Sequence, residues 1–287
     1  KRKDLRMSEC PDEALLVLVV LYKTPMQESR TLQSLIGQAR IPASVRLIIW
    51  DNSPQSMRDA DTLDALAGRF GAVQYIHDEN NKALSSLYND VVKANPADLY
   101  LILDQDSGLP PEYVENALAR AAEHPRVALF APQIVVGGQL VSPGGFGKVR
   151  GRQIATVHPG IAPSTGMAVI TSGLMFRASL FVEHGLWFNE NLWLYAVDTD
   201  FFLRFRESFS EFYILDQKIQ HDSALRGEMG IEQRLFRFRN LRWSYLRMMK
   251  DQGRSMVLPR LYMLTASCNR TLQYRTPRFL LGWNRDR

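Results

Sequence analysis

Two kinds of apolar pattern alternate through the first half of the chain. Residues 15–22, 45–50, 73–76 and 99–103 are short, continuous, β-branched or leucine-rich runs, and these are predicted as buried strands. Between them, residues 29–39, 57–69 and 84–94 repeat apolar side chains at helical spacing, as in Leu32, Leu35, Ile36 and Leu63, Leu66, Ala67. Pro110-Pro111 opens a further helix through Ala122, because proline is tolerated in a first turn. A β-α-β-α-β-α-β series gives parallel strands joined by right-handed crossovers. It leaves a nucleotide-sized crevice at the strand C-termini.

The second half is less regular. Strands are predicted at 127–136, 153–158, 167–171 and 212–215, and helices at 179–184 and 199–207, with turns at Gly137-Gly138 and in the glycine-rich stretch 142–151. From Gly230 the pattern becomes helical. Ile231, Leu235, Phe238 and Tyr245 share one face while Arg234, Arg237, Arg242, Arg247 and Lys250 surround it. A second helix is predicted over 258–272, and Leu235 and Phe238 are expected to pack on the body of the domain. The division is then a domain over 1–225 and a helical appendage over 226–287.

Composition narrows the function. With 46% hydrophobic and 23% charged residues, 287 residues are enough to bury a full core. The longest apolar run, residues 14–22, is far short of the ~20 needed to span a bilayer. Residues 1–6 are basic but 8–13 are polar, so no secretory leader is expected. Cys10 and Cys268 are the only cysteines, which excludes a disulfide scaffold and a cysteine zinc site and fits a cytoplasmic setting. The net charge of +5 is unevenly placed. Residues 226–287 hold 14 Lys and Arg against 4 Asp and Glu, leaving 21 against 26 in residues 1–225. An acidic body without basic–aromatic motifs is no nucleic-acid binder. The basic helices instead fit an anionic membrane surface, with the protein peripheral at the inner face of the membrane.

The chemistry concentrates after the fourth strand, where residues 99–103 run into Asp104-Gln105-Asp106. Two carboxylates one residue apart share a side of the strand end, an arrangement that holds Mg²⁺ or Mn²⁺ on a diphosphate. The plainer reading is a polar turn with a capping aspartate. Two reaction classes use such a pair. In a haloacid-dehalogenase-like phosphatase Asp104 is a nucleophile and Asp106 an acid. In a nucleotide-sugar transferase the pair anchors the metal and the leaving diphosphate. Three strand–helix units precede the motif here, which favours the transferase.

The run Leu103-Asp104-Gln105-Asp106-Ser107 resembles the Asp-x-Asp region of inverting family-2 glycosyltransferases in their rhamnosyltransferase-like form. Further stretches agree in order: Val19-Val20-Leu21-Tyr22, Asp51-Asn52-Ser53, Asn81 with Asn89, Val197-Asp198-Thr199-Asp200 followed by Leu203-Arg204, then His221 and Arg239-Asn240. The resemblance covers roughly residues 14–250. It implies a GT-A fold, a Rossmann-like, mixed but mainly parallel sheet flanked by helices. The nucleotide-sugar half would be about 14–107 and the acceptor half about 108–225. It implies that Tyr22, Asp51, Asn81, Asn89, Asp104, Gln105 and Asp106 meet a dTDP- or UDP-linked sugar, with Asp51 reading the base imide. Asp51 as a turn residue and Asn81 as a helix cap are the plainer readings. Asp104, Asp106 and His221 would hold the metal, Mg²⁺ or Mn²⁺, and Asp198 would be the catalytic base.

Asp200 either orients the acceptor or pairs with Arg204, four residues on in the same helix. Ser172 and Gly173 end a strand toward the acceptor side or form a plain turn, and Trp193 is either a stacking platform for an acceptor sugar or part of a lid core. Ala83 stands where the family has glycine, Tyr195 where it has an acid, and the approach through Trp187 and Trp193 differs. A non-catalytic nucleotide-sugar-binding module is the alternative that these departures keep open. The resemblance implies inverting transfer, most naturally of rhamnose, to a saccharide acceptor, lipid-linked or free, in bacterial surface polysaccharide or lipopolysaccharide synthesis.

Overall fold

A computed structural model describes residues 13–221 and 230–281. In chain order its elements begin with β1 (Leu15–Leu21), α1 (Arg30–Ile36), β2 (Arg46–Asp51), α2 (Ala60–Ala67), β3 (Ala72–His77), α3 (Leu84–Ala94) and β4 (Leu99–Asp104). Then come β5 (Ser107–Gly108), α4 (Tyr113–Glu123), β6 (Leu129–Val136), β7 (Gln139–Ser142), β8 (Gly144–Phe146), β9 (Gly151–Arg152), β10 (Gly160–Pro163), β11 (Met167–Ala168) and β12 (Leu174–Arg177). The chain continues through α5 (Ser179–Val182), α6 (Val197–Ser208), β13 (Glu211–His221), α7 (Ile231–Asp251) and α8 (Val257–Tyr274). The main sheet runs β10-β13-β6-β12-β4-β1-β2-β3, with β5 and β7 paired at its side. Strands β1 to β4 are parallel, β12 is antiparallel to both its neighbours, and β8, β9 and β11 form a small separate sheet.

The two-residue period of a strand explains the layers. In β1, Leu16, Leu18 and Val20 enter one core while Leu15, Val17, Val19 and Leu21 enter another. β4 divides in the same way, with Tyr100 and Ile102 on one face and Leu99, Leu101 and Leu103 on the other. Both sheet faces are therefore covered, as a parallel sheet requires. Helices α1, α2 and α4 cover one face through Leu32, Leu35, Leu66 and Tyr113. The other face is covered by α3 and α6, whose Leu87, Val91, Phe201, Phe202 and Phe205 join an aromatic cluster with Phe176, Phe181 and Phe188. Phe188 and Phe201 stack with centroids 4.4 Å apart.

Several expectations change. β12 had no strand signal of its own, yet it occupies the middle of the sheet; four residues after a glycine are too few to show a period. No strand covers 153–158; the strand comes later, as β10, and only Met167–Ala168 of the expected 167–171 is extended into a ladder. β13 has 11 residues instead of four because its register shifts between Ile214 and Lys218, letting the strand run on to His221. Leu235 and Phe238 are buried, but against Phe279 within the C-terminal helices rather than on the domain body. Their neighbours Tyr245, Met248 and Met249, with Met263 of α8, are the residues that enter the main core. Cys10 and the expected boundary at 225/226 lie outside the described residues.

Candidate active site

The parallel strands β1, β2 and β4 end at one edge, and their last residues are tied together there. Gln105 reaches back to Tyr22, its Oε1 accepting the Tyr22 N–H at 2.7 Å and its amide donating to the Tyr22 carbonyl at 3.3 Å. Lys23 N–H donates to Ser53 Oγ at 2.7 Å. Asn52 clamps the following loop, donating to the Lys82 carbonyl at 2.8 Å and to Asn81 Oδ1 at 3.2 Å, and accepting the Lys82 N–H at 2.8 Å. Asn81 takes a positive φ of 51°, a conformation asparagine tolerates better than most residues. Ala83, where the related pattern has glycine, sits at φ −56° and needs none of that freedom. The unusual backbone has moved two residues upstream.

Asp104, Asp106 and His221 come together at the ends of β4 and β13, with one donor atom from each within 4.8 Å of the others. His221 Nδ1 lies 3.5 Å from Asp106 Oδ1, and β5 pairs with the end of β13 to bring the two together. Behind the cluster runs a hydroxyl chain. Ser107 Oγ is 2.5 Å from Ser172 Oγ and 3.4 Å from His221 Nδ1, and Ser172 Oγ accepts the Asp104 N–H at 3.3 Å. Burial, together with the nearby carboxylates of Asp106 and Asp198, pushes the Asp104 carboxyl up to about 6 against the opposing pull of His221. Two carboxylates and an imidazole, one carboxylate buried beside the other, fit a divalent cation such as Mn²⁺ or Mg²⁺.

The loop that carries the acids is held from α1. Ser29 caps that helix and donates from Oγ to the Gln105 carbonyl at 2.9 Å. The buried Thr31 hydroxyl bonds the Asp104 carbonyl, donates to the Ser107 carbonyl at 3.2 Å and accepts the Ser107 N–H at 2.9 Å. Thr31 carries no signal in the sequence, because a single hydroxyl in a helical pattern has no spacing of its own, whereas Ser107 closes the acidic motif.

Asp198 stands in the first turn of α6, after Ala196 turns the chain at φ 62°. Its Oδ1 accepts the Thr199 N–H at 2.6 Å, and burial raises its carboxyl above the ordinary range. Its charge also contributes to the rise at Asp104. The buried Tyr88 hydroxyl is held in its protonated form by burial, with the Asp104 and Asp198 carboxylates adding to that effect.

The other expected site residues fall in different places. Asp51 is fully buried, and its oxygens accept from the N–H groups of Ser53 (3.0 Å) and Met57 (2.7 Å) and from the Tyr75 hydroxyl. Its carboxylate thus holds the turn under the crevice. Asn89 is buried and its amide is engaged within the protein: it donates to the Phe188 carbonyl and to Glu190, and accepts the Phe188 N–H, each at 2.9 Å. Gly173 faces inward, because a Cβ there would lie 2.4 Å from Ile219 Cδ1 and 2.8 Å from Pro132 Cγ. Its glycine is a packing requirement, and only its neighbour Ser172 reaches the metal cluster. Asp200 pairs with Arg204 at 2.9 Å, the second of its two expected roles, and also accepts from Gln252 of the C-terminal segment at 3.3 Å. Trp193 is partly exposed, and its carbonyl accepts the first N–H of α3 at 2.8 Å, joining the acceptor-side loop to the nucleotide-side helix.

Fold and site together define a nucleotide-sugar transferase with the GT-A arrangement: a doubly covered, mainly parallel sheet with an acidic, cation-ready cluster at its strand ends. Residues 18–168 match the model of glycosyl transferase family 2, and the chain belongs to that family. Position in the sheet and family membership set aside the phosphatase alternative. No curated protein matches the chain. Among solved structures it resembles S. aureus TarS 1–349 in complex with UDP, at 14% identity and a TM-score of 0.56, covering 82% of this chain and 72% of that one. It also resembles GalNAc-T7 with UDP, GalNAc and Mn²⁺, at 14% identity and a TM-score of 0.61 over 83% of this chain, which spans 48% of that protein. At such identity the likeness is one of fold.

Proposed function

We propose that this enzyme is an inverting, metal-dependent transferase that moves a sugar, rhamnose in the simplest reading, from a dTDP- or UDP-linked donor to a saccharide acceptor of a bacterial surface glycan. The observation that carries the reading is the meeting of Asp104, Asp106 and His221 at the ends of β4 and β13, to which Asp198 adds its charge. Gln105 and Tyr22 line the nucleotide side with Asn81, and Asp51 serves that side through the turn it holds. The chemistry a divalent cation supplies, held by Asp104, Asp106 and His221, is positive charge beside the departing diphosphate. Asp198 accepts the proton of the acceptor hydroxyl as that oxygen bonds to the donor C1 and the C1–diphosphate bond breaks. A single displacement of this kind inverts C1. Trp193, on a loop beside α3 and partly exposed, offers an apolar face to the acceptor sugar, with Ser172 deeper in the same crevice.

Solved relatives in fold that hold UDP, UDP-GlcNAc, or UDP with Mn²⁺ support a nucleotide-sugar donor and a divalent ion. Among the described residues no helix is long and apolar enough to cross a membrane. In this reading the enzyme is cytoplasmic and approaches a lipid-linked acceptor from the membrane surface, with its basic C-terminal helices toward anionic lipid. The direct test is incubation with dTDP-rhamnose, UDP-GlcNAc and related donors, Mn²⁺ and an acceptor panel, with product anomers read by NMR. An inverted linkage from one donor supports the proposal; a retained linkage refutes the displacement by Asp198.

A further inference from the structure

The outward face of α8 is composed like an inward one. Val257, Leu261, Leu264, Cys268 and Leu272 recur at steps of four, three, four and four residues, which places them on one stripe. They point to solvent: Val257 is 72% exposed, Leu261 55%, Leu264 43% and Leu272 77%, and Cys268 is exposed as well. The stripe is about 22 Å long at the α-helical rise. The opposite face of the helix is already engaged through buried Pro259, Met263 and Ser267, so the helix is anchored with its apolar stripe outward.

The segment that carries the stripe has charges of one sign: residues 252–281 contain no Asp or Glu but five arginines. Arg278 is paired with Glu232 of α7 and Arg270 lies over the Phe238 ring, which leaves Arg254, Arg260 and Arg275 to flank the stripe. Arg254 precedes the stripe and Arg275 follows it in the left-handed cap of the helix. Arg254 also donates to the Lys148 carbonyl at 2.8 Å, which brings the exposed cations Lys148, Arg150 and Arg152 to the same end.

We propose that α8 seats the protein on an anionic lipid bilayer, with the Val257–Leu272 stripe at the acyl boundary and the surrounding arginines at headgroup phosphates. This rests on the membrane-peripheral part of the proposed function and names the face that performs it. Charge selects lipid over a second copy of the chain. Antiparallel pairing of two stripes sets Arg254 against Arg275, parallel pairing sets each arginine against its own copy, and no acid in 252–281 separates them. A sheet of phosphates complements Arg254, Arg260 and Arg275 together.

The test is co-sedimentation of the full chain with vesicles of phosphatidylcholine alone or mixed with phosphatidylglycerol. Binding is expected to the mixed vesicles, to weaken as salt rises, and to fall on the order of 100-fold in Leu261→Glu/Leu264→Glu. A bimane on Cys268, in a Cys10→Ser background, is expected to shift to the blue on the anionic vesicles. Both leucines are exposed, and Mn²⁺-dependent nucleotide binding measured in parallel reports that the double variant is folded. The proposal is overturned if the wild-type chain ignores anionic vesicles, if the double variant binds them equally, or if the chain is a dimer that the double variant dissociates. Vesicle binding without any nucleotide binding would leave this inference standing and remove the transferase reading instead.

Discussion

At the scale of single residues, the chemistry depends on carboxylates placed where burial works against their charge. Asp198 is one: its raised pKa means that the folded state favours its proton. The stability it contributes is therefore fully present at acid pH and is lost as pH rises through its folded pKa. Asp198→Asn is expected to be more stable than the wild type at pH 7.5, and the difference is expected to vanish near pH 4, as read by thermal melts across that range. The same substitution is expected to lower kcat by roughly 10²–10⁴-fold while leaving donor binding intact. Thr31 shows the opposite economy, since one hydroxyl makes three bonds to the acidic loop. Thr31→Val is expected to weaken Mn²⁺ binding about 10–100-fold in calorimetric titrations, and Thr31→Ser to restore most of it. The acids and His221 were legible in the sequence because their spacing after a strand matches a recognisable pattern. Thr31 and Tyr88 were not, since what matters for each is the partner the fold brings to it.

Elements show the same division between local and distant information. The helix over residues 84–94 and the four parallel strands were readable to within a residue or two, because buried runs and helical repeats are local signals. β12 and the length of β13 were hidden, since a four-residue antiparallel strand and a register shift owe their existence to the strands beside them. Asn89 was read as a ligand-binding residue, whereas its bonds to Phe188 and Glu190 fasten the acceptor-side loop to α3. Asn89→Ala is accordingly expected to cost about 1–3 kcal/mol of stability in denaturant unfolding, with the KM for the donor little changed. A large rise in that KM with stability intact would return Asn89 to the nucleotide. The aromatic cluster beneath α6 sets a larger scale: Phe201→Ala is expected to cost about 3–5 kcal/mol by the same measurement, because it empties the stack on Phe188.

For the whole molecule, the uneven charge of the sequence resolves into a body that does chemistry and helices that are part of its core as well as its surface. α7 supplies Tyr245, Met248 and Met249 to the main cluster, and Gln252, just beyond it, reaches Asp200 beneath the base. Removal of everything from residue 230 onward is therefore expected to abolish a cooperative thermal transition, which a simple appendage would not do. Binding of a metal–diphosphate at the strand-end cluster is read by thermal shift with UDP, dTDP and their sugars, with and without Mn²⁺. A matched ligand at ~100 times its Kd is expected to add about 2.7 kcal/mol of stability only when the ion is present, and Asp106→Asn is expected to erase that gain. A stable wild-type protein showing no metal-dependent shift with any diphosphate would contradict the account.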